Sequence, residues 1–138
     1  MESRLTLNSK LIHFRSINDE RGILDVASTP TEVPFQIRRF FVTSANSPMV
    51  IRGEHAHKNS HQLLVAVTGS IKASCDNGRA KVDFLLNSSS FGLYLPPLTW
   101  GSQTEFSEGA KLLVLASELY DPEDYIENYE EFISLVQR

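Results

Sequence analysis

The chain has 138 residues, of which 41% are hydrophobic and 22% charged, and its formal net charge is -4. This length and composition predict one domain, residues 1–138, with a hydrophobic core of its own. The mild negative charge argues against bulk nucleic-acid binding, although a local basic pocket could still hold a phosphate. No apolar run reaches the roughly 18 residues that a membrane span needs. Neither nucleic acid nor a membrane is therefore an expected partner.

Two features favour a cytoplasmic location. The first 14 residues contain no apolar core of the kind that signal peptides have. The chain has a single cysteine, Cys75, so an intramolecular disulfide is excluded. This cysteine is expected to be a small apolar strand residue rather than a nucleophile.

Short β-prone runs separated by turns make up the middle of the chain. The segment Asp76-Asn77-Gly78 predicts a tight hairpin, because glycine after asparagine accepts the positive φ of such a turn. Gly69 and the serine-rich stretch 87–90 mark further turns. Strands are predicted at 36–43, 50–57, 61–68, 70–75, 79–86, 91–95 and 110–117.

The hydrophobic period changes near the C-terminus, where a helix is predicted at 121–137. Asp121 is a suitable N-cap and Pro122 suits the first helical position. Two tyrosines of the apolar stripe, Tyr125 and Tyr129, are expected to pack the helix on the strands. Many short strands followed by one terminal helix predict an all-β fold, a jelly-roll barrel or sandwich with one C-terminal helix. The stripe consists of Tyr125, Ile126, Tyr129, Phe132, Ile133 and Val136.

Three of the four histidines lie within IRGEHAHKNSHQ, residues 51–62. Residues two apart in a strand share a face, so His55 and His57 are expected to point the same way, with Ala56 opposite. Gly53 is expected to let the strand bend near a pocket. His61 is expected on the face opposite its neighbour Gln62.

Three interpretations of the histidine pair are open. Two neutral imidazoles can ligate one metal ion, but Gln62 stands where a jelly-roll site needs a carboxylate and segment 92–106 has no histidine. With only two ligands available, the histidine pair is predicted not to bind a metal ion. Alternatively, the pair moves protons, and Arg52 and Lys58 hold an anionic substrate. The third interpretation is a solvated strand end without chemistry.

The segment RGEHAHK, residues 52–58, with Gln62 and Gly69-Ser70 after it, resembles the sugar-nucleotide 3,4-ketoisomerases of the cupin superfamily. These enzymes act on dTDP-4-keto-6-deoxyglucose. Further segments resemble the family in the same order along nearly the whole chain. They are DERGIL at 19–24, VPFQIRRFF at 33–41, GLYLPPLTW at 92–100 and the run at 113–132.

The resemblance implies a cupin jelly roll with the active site inside the barrel and no metal or other cofactor. It also implies a homodimer that exchanges its N-terminal strands, within residues 1–32. The implied substrate is a dTDP-linked 4-keto-6-deoxyhexose, whose keto group moves from C4 to C3 through an enediol or enediolate. The implied role is the synthesis of unusual amino sugars for surface polysaccharide or glycosylated natural products.

The resemblance also assigns roles to four residues. His55 is the candidate base that removes a proton from carbon, and His57 handles the oxygen protons or relays them. Arg52 and Arg39 are candidates for binding the diphosphate or the enediolate, because guanidinium groups pair with two oxygens at once.

Other predicted site residues each have a structural alternative. Gln62 either hydrogen-bonds substrate in the pocket or lies at its polar rim, and Lys58 is placed beside the anionic substrate. Trp100 either stacks on thymine or sugar, or fills the barrel core. Arg21 either reaches the nucleotide of a neighbouring subunit or braces a turn.

The chain departs from the family pattern at two positions. Relatives tend to carry tyrosine at the position of Phe41, where its phenol is thought to sit by the catalytic histidine, and some carry histidine at the position of Gly101. These departures predict a slower enzyme, a different sugar or C4 configuration, or a non-catalytic sugar-nucleotide binder. Tyr94 and Tyr120 are candidates to supply a phenol from elsewhere.

Overall fold

The computed structural model describes residues 8–137, which form two five-stranded antiparallel sheets and a separate two-stranded hairpin. The first sheet has the order β1-β9-β6-β11-β4 and the second has the order β12-β5-β10-β7-β8, while β2 and β3 form the hairpin. The strands are β1 Lys10–His13, β2 Arg15–Asp19, β3 Gly22–Val26, β4 Arg39–Thr43, β5 Arg52–His57, β6 Gln62–Thr68, β7 Ile71–Asp76, β8 Lys81–Leu86, β9 Phe91–Leu95, β10 Trp100–Thr104, β11 Lys111–Ala116 and β12 Tyr125–Ile126.

The main core lies between the two sheets, where Leu64, Ile71, Leu93 and Leu112 are at most 1% exposed. A second cluster, built from Val33 and Phe35 of the segment before β4, covers the other side of β6. β6 is therefore buried on both faces, which explains why its sequence is continuously apolar instead of alternating. The two packed sheets confirm the predicted all-β jelly-roll cupin fold.

The hairpin predicted around Asn77 is confirmed. β7 pairs with β8 from Ile71↔Leu86 to Asp76↔Lys81. Gly78 has a φ of 93°, and its N–H donates to Asp76 Oδ1 at 2.7 Å. The strand predicted at 36–43 begins only at Arg39, because the preceding residues belong to the covering segment.

The predicted continuous helix at 121–137 is wrong. A short 3-10 helix at Pro122–Asp124 is followed by β12, Tyr125–Ile126, and only then by the α-helix α1, Tyr129–Val136. β12 pairs with the edge of β5. The backbone N–H and C=O groups of β12 therefore form hydrogen bonds within the sheet instead of the bonds that they would form within a helix. The α-helix starts after Asn128, whose side chain accepts a hydrogen bond from Glu131 N at 2.8 Å.

Helix α1 packs on the outer side of the second sheet. Phe132 is fully buried there with Ala56 and Ile126. The Trp100 ring lies 5.7 Å from that of Phe132 and 5.2 Å from that of Tyr129, centroid to centroid. Trp100 is thus a packing residue of this helix. No helix in residues 8–137 is long and apolar enough to cross a membrane.

Candidate active site

The histidine strand β5 reaches the site through a sharp local bend. Gly53 has a φ of +85°, and a Cβ added there would lie 2.8 Å from the Gly101 carbonyl oxygen. Glu54 also has a positive φ, and the register shifts between Gly101 and Ser102 on the neighbouring β10. Only glycine fits this close approach, and the bend sets the direction of the strand that follows.

His55 and His57 point to the same side of β5, as predicted. Their ring centroids lie 5.0 Å apart and their planes are nearly perpendicular, at 88°. The Ala56 side chain between them is fully buried on the opposite side, against α1.

His57 is held by a carboxylate from the 3-10 helix. Its Nδ1 lies 2.9 Å from Asp124 Oδ2, and both side chains are more than nine-tenths buried. The other oxygen, Oδ1, accepts the N–H of Asn59 at 2.6 Å. A carboxylate only accepts hydrogen bonds, so the hydrogen of His57 resides on Nδ1 and Nε2 is left as a free acceptor. Nε2 is buried and has no partner among the described residues.

Burial lowers the pKa of both histidines below the ordinary value of 6.5. For His57, the hydrogen bond to Asp124 opposes this effect in part. For His55, a backbone hydrogen bond at Gly53 and the charge of Glu127 oppose it. Both imidazoles are therefore neutral at neutral pH, which is the state in which they can accept a proton.

Tyr125 lies against both histidines. Its ring centroid is 5.0 Å from that of His55 and 4.5 Å from that of His57. The pairing of β12 with β5 sets Tyr125 opposite His57 and fixes this contact. The prediction that Tyr125 packs the helix is wrong, because the residue lies on β12. The prediction for Tyr129 is confirmed, since it packs beside Trp100.

A cavity of about 170 Å³ opens beside His55, between the two sheets. A narrower recess lies next to it, and His55, Gln62 and Gln103 line both. The cavity is lined by Phe41, Thr43, Arg52, Gly53, His55, Gln62, Leu64, Gln103, Val114 and Tyr125. The recess is lined by His55, His57, Ser60, Gln62, Leu95, Pro96, Thr99, Gly101 and Gln103.

Strand β4 forms a second wall of the cavity. Alternation turns Arg39, Phe41 and Thr43 inward, while Phe40 and Val42 are exposed. The guanidinium carbon of Arg39 lies 5.3 Å from the centroid of the Phe41 ring, within the range of a cation–π contact. Arg39 Nε is buried and unpaired among the described residues.

Two further predicted binding residues line the cavity. Arg52 contributes to its wall, and its Nε donates to the Ser44 carbonyl oxygen at 2.7 Å. Gln62 is buried and faces both the cavity and the recess.

Three predicted binding residues lie apart from the histidines in this chain. Lys58 is exposed and lines neither the cavity nor the recess. Trp100 lies in an outer groove beside α1. Arg21, at the turn of the β2–β3 hairpin, is highly exposed and pairs with Asp19 at 2.6 Å. Their roles in substrate binding stay predictions.

The two phenols considered from sequence have other contacts. The Tyr94 hydroxyl lies 2.7 Å from His61 Nδ1, in an aromatic stack with Phe35. Tyr120 lies near the site instead, with its ring 5.7 Å from the guanidinium carbon of Arg39 and 5.8 Å from the ring of Tyr125. Across residues 8–137, no three His, Cys, Asp or Glu side chains are grouped so that they could hold a metal ion.

Comparisons with known proteins identify the family of this chain. The FdtA family model, described as WxcM-like, C-terminal, matches residues 7–137. A TDP-4-oxo-6-deoxy-alpha-D-glucose-3,4-oxoisomerase from Aneurinibacillus thermoaerophilus is 37% identical over 129 residues, which is 91% of each chain.

Solved structures of 3,4-ketoisomerases are also similar to this chain. The sugar 3,4-ketoisomerase QdtA from Thermoanaerobacterium thermosaccharolyticum, in complex with TDP, has 38% identity and a TM-score of 0.90, covering 95% of this chain and 96% of its own. WlaRB, a TDP-quinovose 3,4-ketoisomerase from Campylobacter jejuni, has 41% identity and a TM-score of 0.88, covering 93% and 98%. The RmlC epimerase of Mycobacterium tuberculosis, at 15% identity and a TM-score of 0.76, covers 86% and 68% and shares the fold. The chain therefore belongs to the WxcM-like family of cupin-fold proteins.

Proposed function

We propose that this protein is a sugar-nucleotide 3,4-ketoisomerase, which moves the keto group of a TDP-4-keto-6-deoxyhexose from C4 to C3. The observation that carries the proposal is the pair of neutral histidines beside a cavity, one of them buried and oriented by Asp124. Relatives that cover nine-tenths of the chain are named as 3,4-ketoisomerases or oxoisomerases of TDP sugars.

The first step removes a proton from C3, which the neighbouring C4 ketone acidifies. We assign this step to His55, because it lines both the cavity and the recess, whereas His57 lines only the recess. Burial keeps His55 neutral and ready to accept the proton. The electron pair of the C–H bond forms a double bond between C3 and C4, and the carbonyl pair moves onto the C4 oxygen, which gives an enediolate.

The second step relocates the protons on oxygen and carbon. His57 Nε2 accepts the C3 hydroxyl proton and returns it to the oxygen on C4, while protonated His55 delivers its proton to C4. The C3 oxygen then keeps the carbonyl. No net electron or proton is gained or lost, so the residues of the chain complete the isomerisation between themselves. Asp124 stabilises the imidazolium that forms transiently at His57.

Two arginines supply positive charge to this anionic chemistry. Arg39 has an unpaired buried Nε next to the site, and Arg52 lies in the cavity wall. We assign them to the enediolate oxygens or the diphosphate, where charge-assisted hydrogen bonds are strongest.

The proposal is tested by incubating the protein with TDP-4-keto-6-deoxyglucose and following the sugar by NMR. The expected result is conversion to the 3-keto isomer. The alternative is a binder that lacks chemistry because Phe41 replaces a tyrosine. Calorimetry separates the two, since binding without turnover of several TDP-keto sugars would establish the binder and overturn the enzyme.

We further propose that two copies associate through their N-terminal hairpins. Within residues 8–137, β2 and β3 pair with each other alone. Ile17, Ile23 and Leu24 are 55%, 69% and 57% exposed, an unusual amount of apolar surface for a free monomer. The edge strand β4 exposes Phe40 and Val42, which we propose as the apolar surface that the hairpin of the partner covers. Such an exchange would bring Arg21 to the site of the partner.

Sedimentation analysis of wild type and of Leu24→Glu tests the dimer. The expected outcome is a wild-type dimer and a monomeric variant, because a buried carboxylate at the hairpin opposes association. A monomeric wild type at micromolar concentration would contradict the proposal.

The cellular role that we propose is a step in making amino sugars for polysaccharide or glycosylated natural products, carried out in the cytoplasm. The product of the proposed reaction supports a step in amino-sugar synthesis, because a ketone at C3 is the functional group that a sugar aminotransferase requires.

A further inference from the structure

Three buried side-chain atoms in residues 8–137 lack a hydrogen-bond partner: Arg39 Nε, Thr43 Oγ1 and His57 Nε2. All three lie in or beside the same site. Arg39 and His57 already have places in the proposed chemistry. Thr43 does not, and no motif in the sequence points to it.

Thr43 lies on the inward face of β4, two residues after Phe41, and lines the cavity that holds His55. Its backbone is engaged in the sheet, opposite Leu112 of β11. A buried hydroxyl without a partner is unfavourable and is uncommon in native proteins. Valine would fill the same space at this position without that cost. The hydroxyl therefore indicates a partner other than the side chains and backbone of residues 8–137.

We propose that Thr43 Oγ1 hydrogen-bonds an oxygen of the hexose ring substituents, a hydroxyl or the ketone, when a sugar nucleotide occupies the cavity. This inference rests on the proposed function. Thr43 thereby takes over the positioning of the sugar on the wall where Phe41 offers no hydroxyl.

The surroundings of Thr43 favour the sugar over the nucleotide as its ligand. The cavity contains His55, so whatever lies against Thr43 also lies near the carbons that react. On the sheet that carries Thr43, Phe41, Leu64 and Val114 line the cavity with apolar groups, and Gln62 is the other polar lining residue. A hydroxyl that both donates and accepts suits a substrate whose carbonyl and hydroxyl exchange places.

The test compares Thr43→Val with Thr43→Ser in turnover of TDP-4-keto-6-deoxyglucose. Valine keeps the shape and removes the hydroxyl, so kcat/KM is expected to fall about 5- to 10-fold, the range of one neutral hydrogen bond. Serine keeps the hydroxyl and is expected to stay within about twofold of wild type. Thr104→Val, in the outer groove beside α1, is the matched control and is expected to change nothing.

Binding measurements separate a contact with the sugar from a structural role. Thr43→Val should weaken the affinity for TDP-4-keto-6-deoxyglucose but not for TDP, and the ligand-free variant should melt no lower than wild type. If Thr43→Val has the same kcat/KM as wild type, the inference is overturned. If wild type binds the sugar nucleotide without turnover, the proposed activity fails while the affinity difference still decides the role of Thr43. If it binds neither ligand, both proposals fail.

Discussion

The two walls of the cavity differ in how far the chain satisfies its own polar groups. On β5, His57 is hydrogen-bonded to Asp124, and Tyr125 packs against both histidines. Only His57 Nε2, the atom that is to accept a proton, lacks a partner there, whereas on β4 both Arg39 Nε and Thr43 Oγ1 are without one among the described residues. The histidine wall is therefore organised before any ligand binds, whereas the β4 wall is completed by the ligand.

This difference separates the two demands of the proposed reaction. Proton transfer needs imidazoles in a fixed tautomer and orientation, which a buried carboxylate provides. Binding needs donors that remain free until the sugar arrives, because groups already satisfied within the chain add little affinity. Substitutions on β5 should therefore reduce the rate of chemistry most, and substitutions on β4 should act through substrate affinity.

The largest effect is expected for His55→Asn. Loss of the base that removes the C3 proton should reduce kcat by about 10³-fold or more, within the range for general base catalysis. Affinity for TDP should persist, because the β4 wall is untouched. The control is His13→Asn, since His13 lies on β1 outside the cavity. A kcat within tenfold of wild type for His55→Asn would contradict the assignment.

Asp124→Asn should have the next largest effect, a decrease in kcat of about 10²-fold with little change in KM. The carboxylate accepts from both His57 Nδ1 and Asn59 N, whereas the amide has a single acceptor oxygen and an NH2 group that donates, so the imidazole loses its fixed tautomer and orientation. Removing the carboxylate also removes an effect that raises the pKa of His57, so that pKa should fall further. Glu123→Gln, on the same 3-10 helix, is the control. Equal kcat in both variants would argue against positioning by Asp124.

Tyr125 lines the cavity, and Tyr125→Phe keeps the ring that contacts both histidines while removing its hydroxyl, so we expect kcat/KM to fall by about tenfold. The complementary change on the other wall, Phe41→Tyr, is expected to alter kcat/KM by less than about threefold. Tyr129→Phe serves as a control, since that phenol binds Asp76 on the outer side. A large gain from Phe41→Tyr would show that the phenol at position 41 is the important one.

The smallest effect is expected from mild acid. Since burial lowers the pKa of His55, kcat/KM should remain above half its plateau value at pH 6.5. The same lowering means that the unfolded chain binds more protons just below pH 6.5, so the melting temperature should fall as the pH drops through that region. If kcat/KM reaches its plateau only well above pH 6.5, the conclusion that burial lowers the pKa of His55 is contradicted.

The histidine face could be predicted from sequence because strand alternation is local. His55 and His57 are two residues apart, and one rule places them together. The same rule predicts that His61 and Gln62 lie on opposite faces of the strand. The fold class also followed from local signals, such as the glycine after Asn77 and the continuous apolar run of β6.

The contribution of residues 121–126 could not be predicted from sequence in the same way. Tyr125 and Ile126 fit a helical stripe, and nothing local shows that their backbone pairs with β5 instead. The contact between His57 and Asp124 spans 67 residues. The available signal was Pro122 directly after Asp121, which marks a short first turn but does not require a long helix. Thr43 was missed because an unpaired hydroxyl is visible only once its surroundings are known.

The most direct test of the proposed mechanism is incubation of the protein with TDP-4-keto-6-deoxyglucose in deuterated water, followed by NMR. Proton abstraction at C3 by His55, which is only partly buried and can exchange its proton with solvent, predicts a 3-keto product that carries deuterium at C4, and no such product with His55→Asn. Failure of wild type to form the 3-keto product, with no deuterium entering the ring, would contradict an enediolate isomerase.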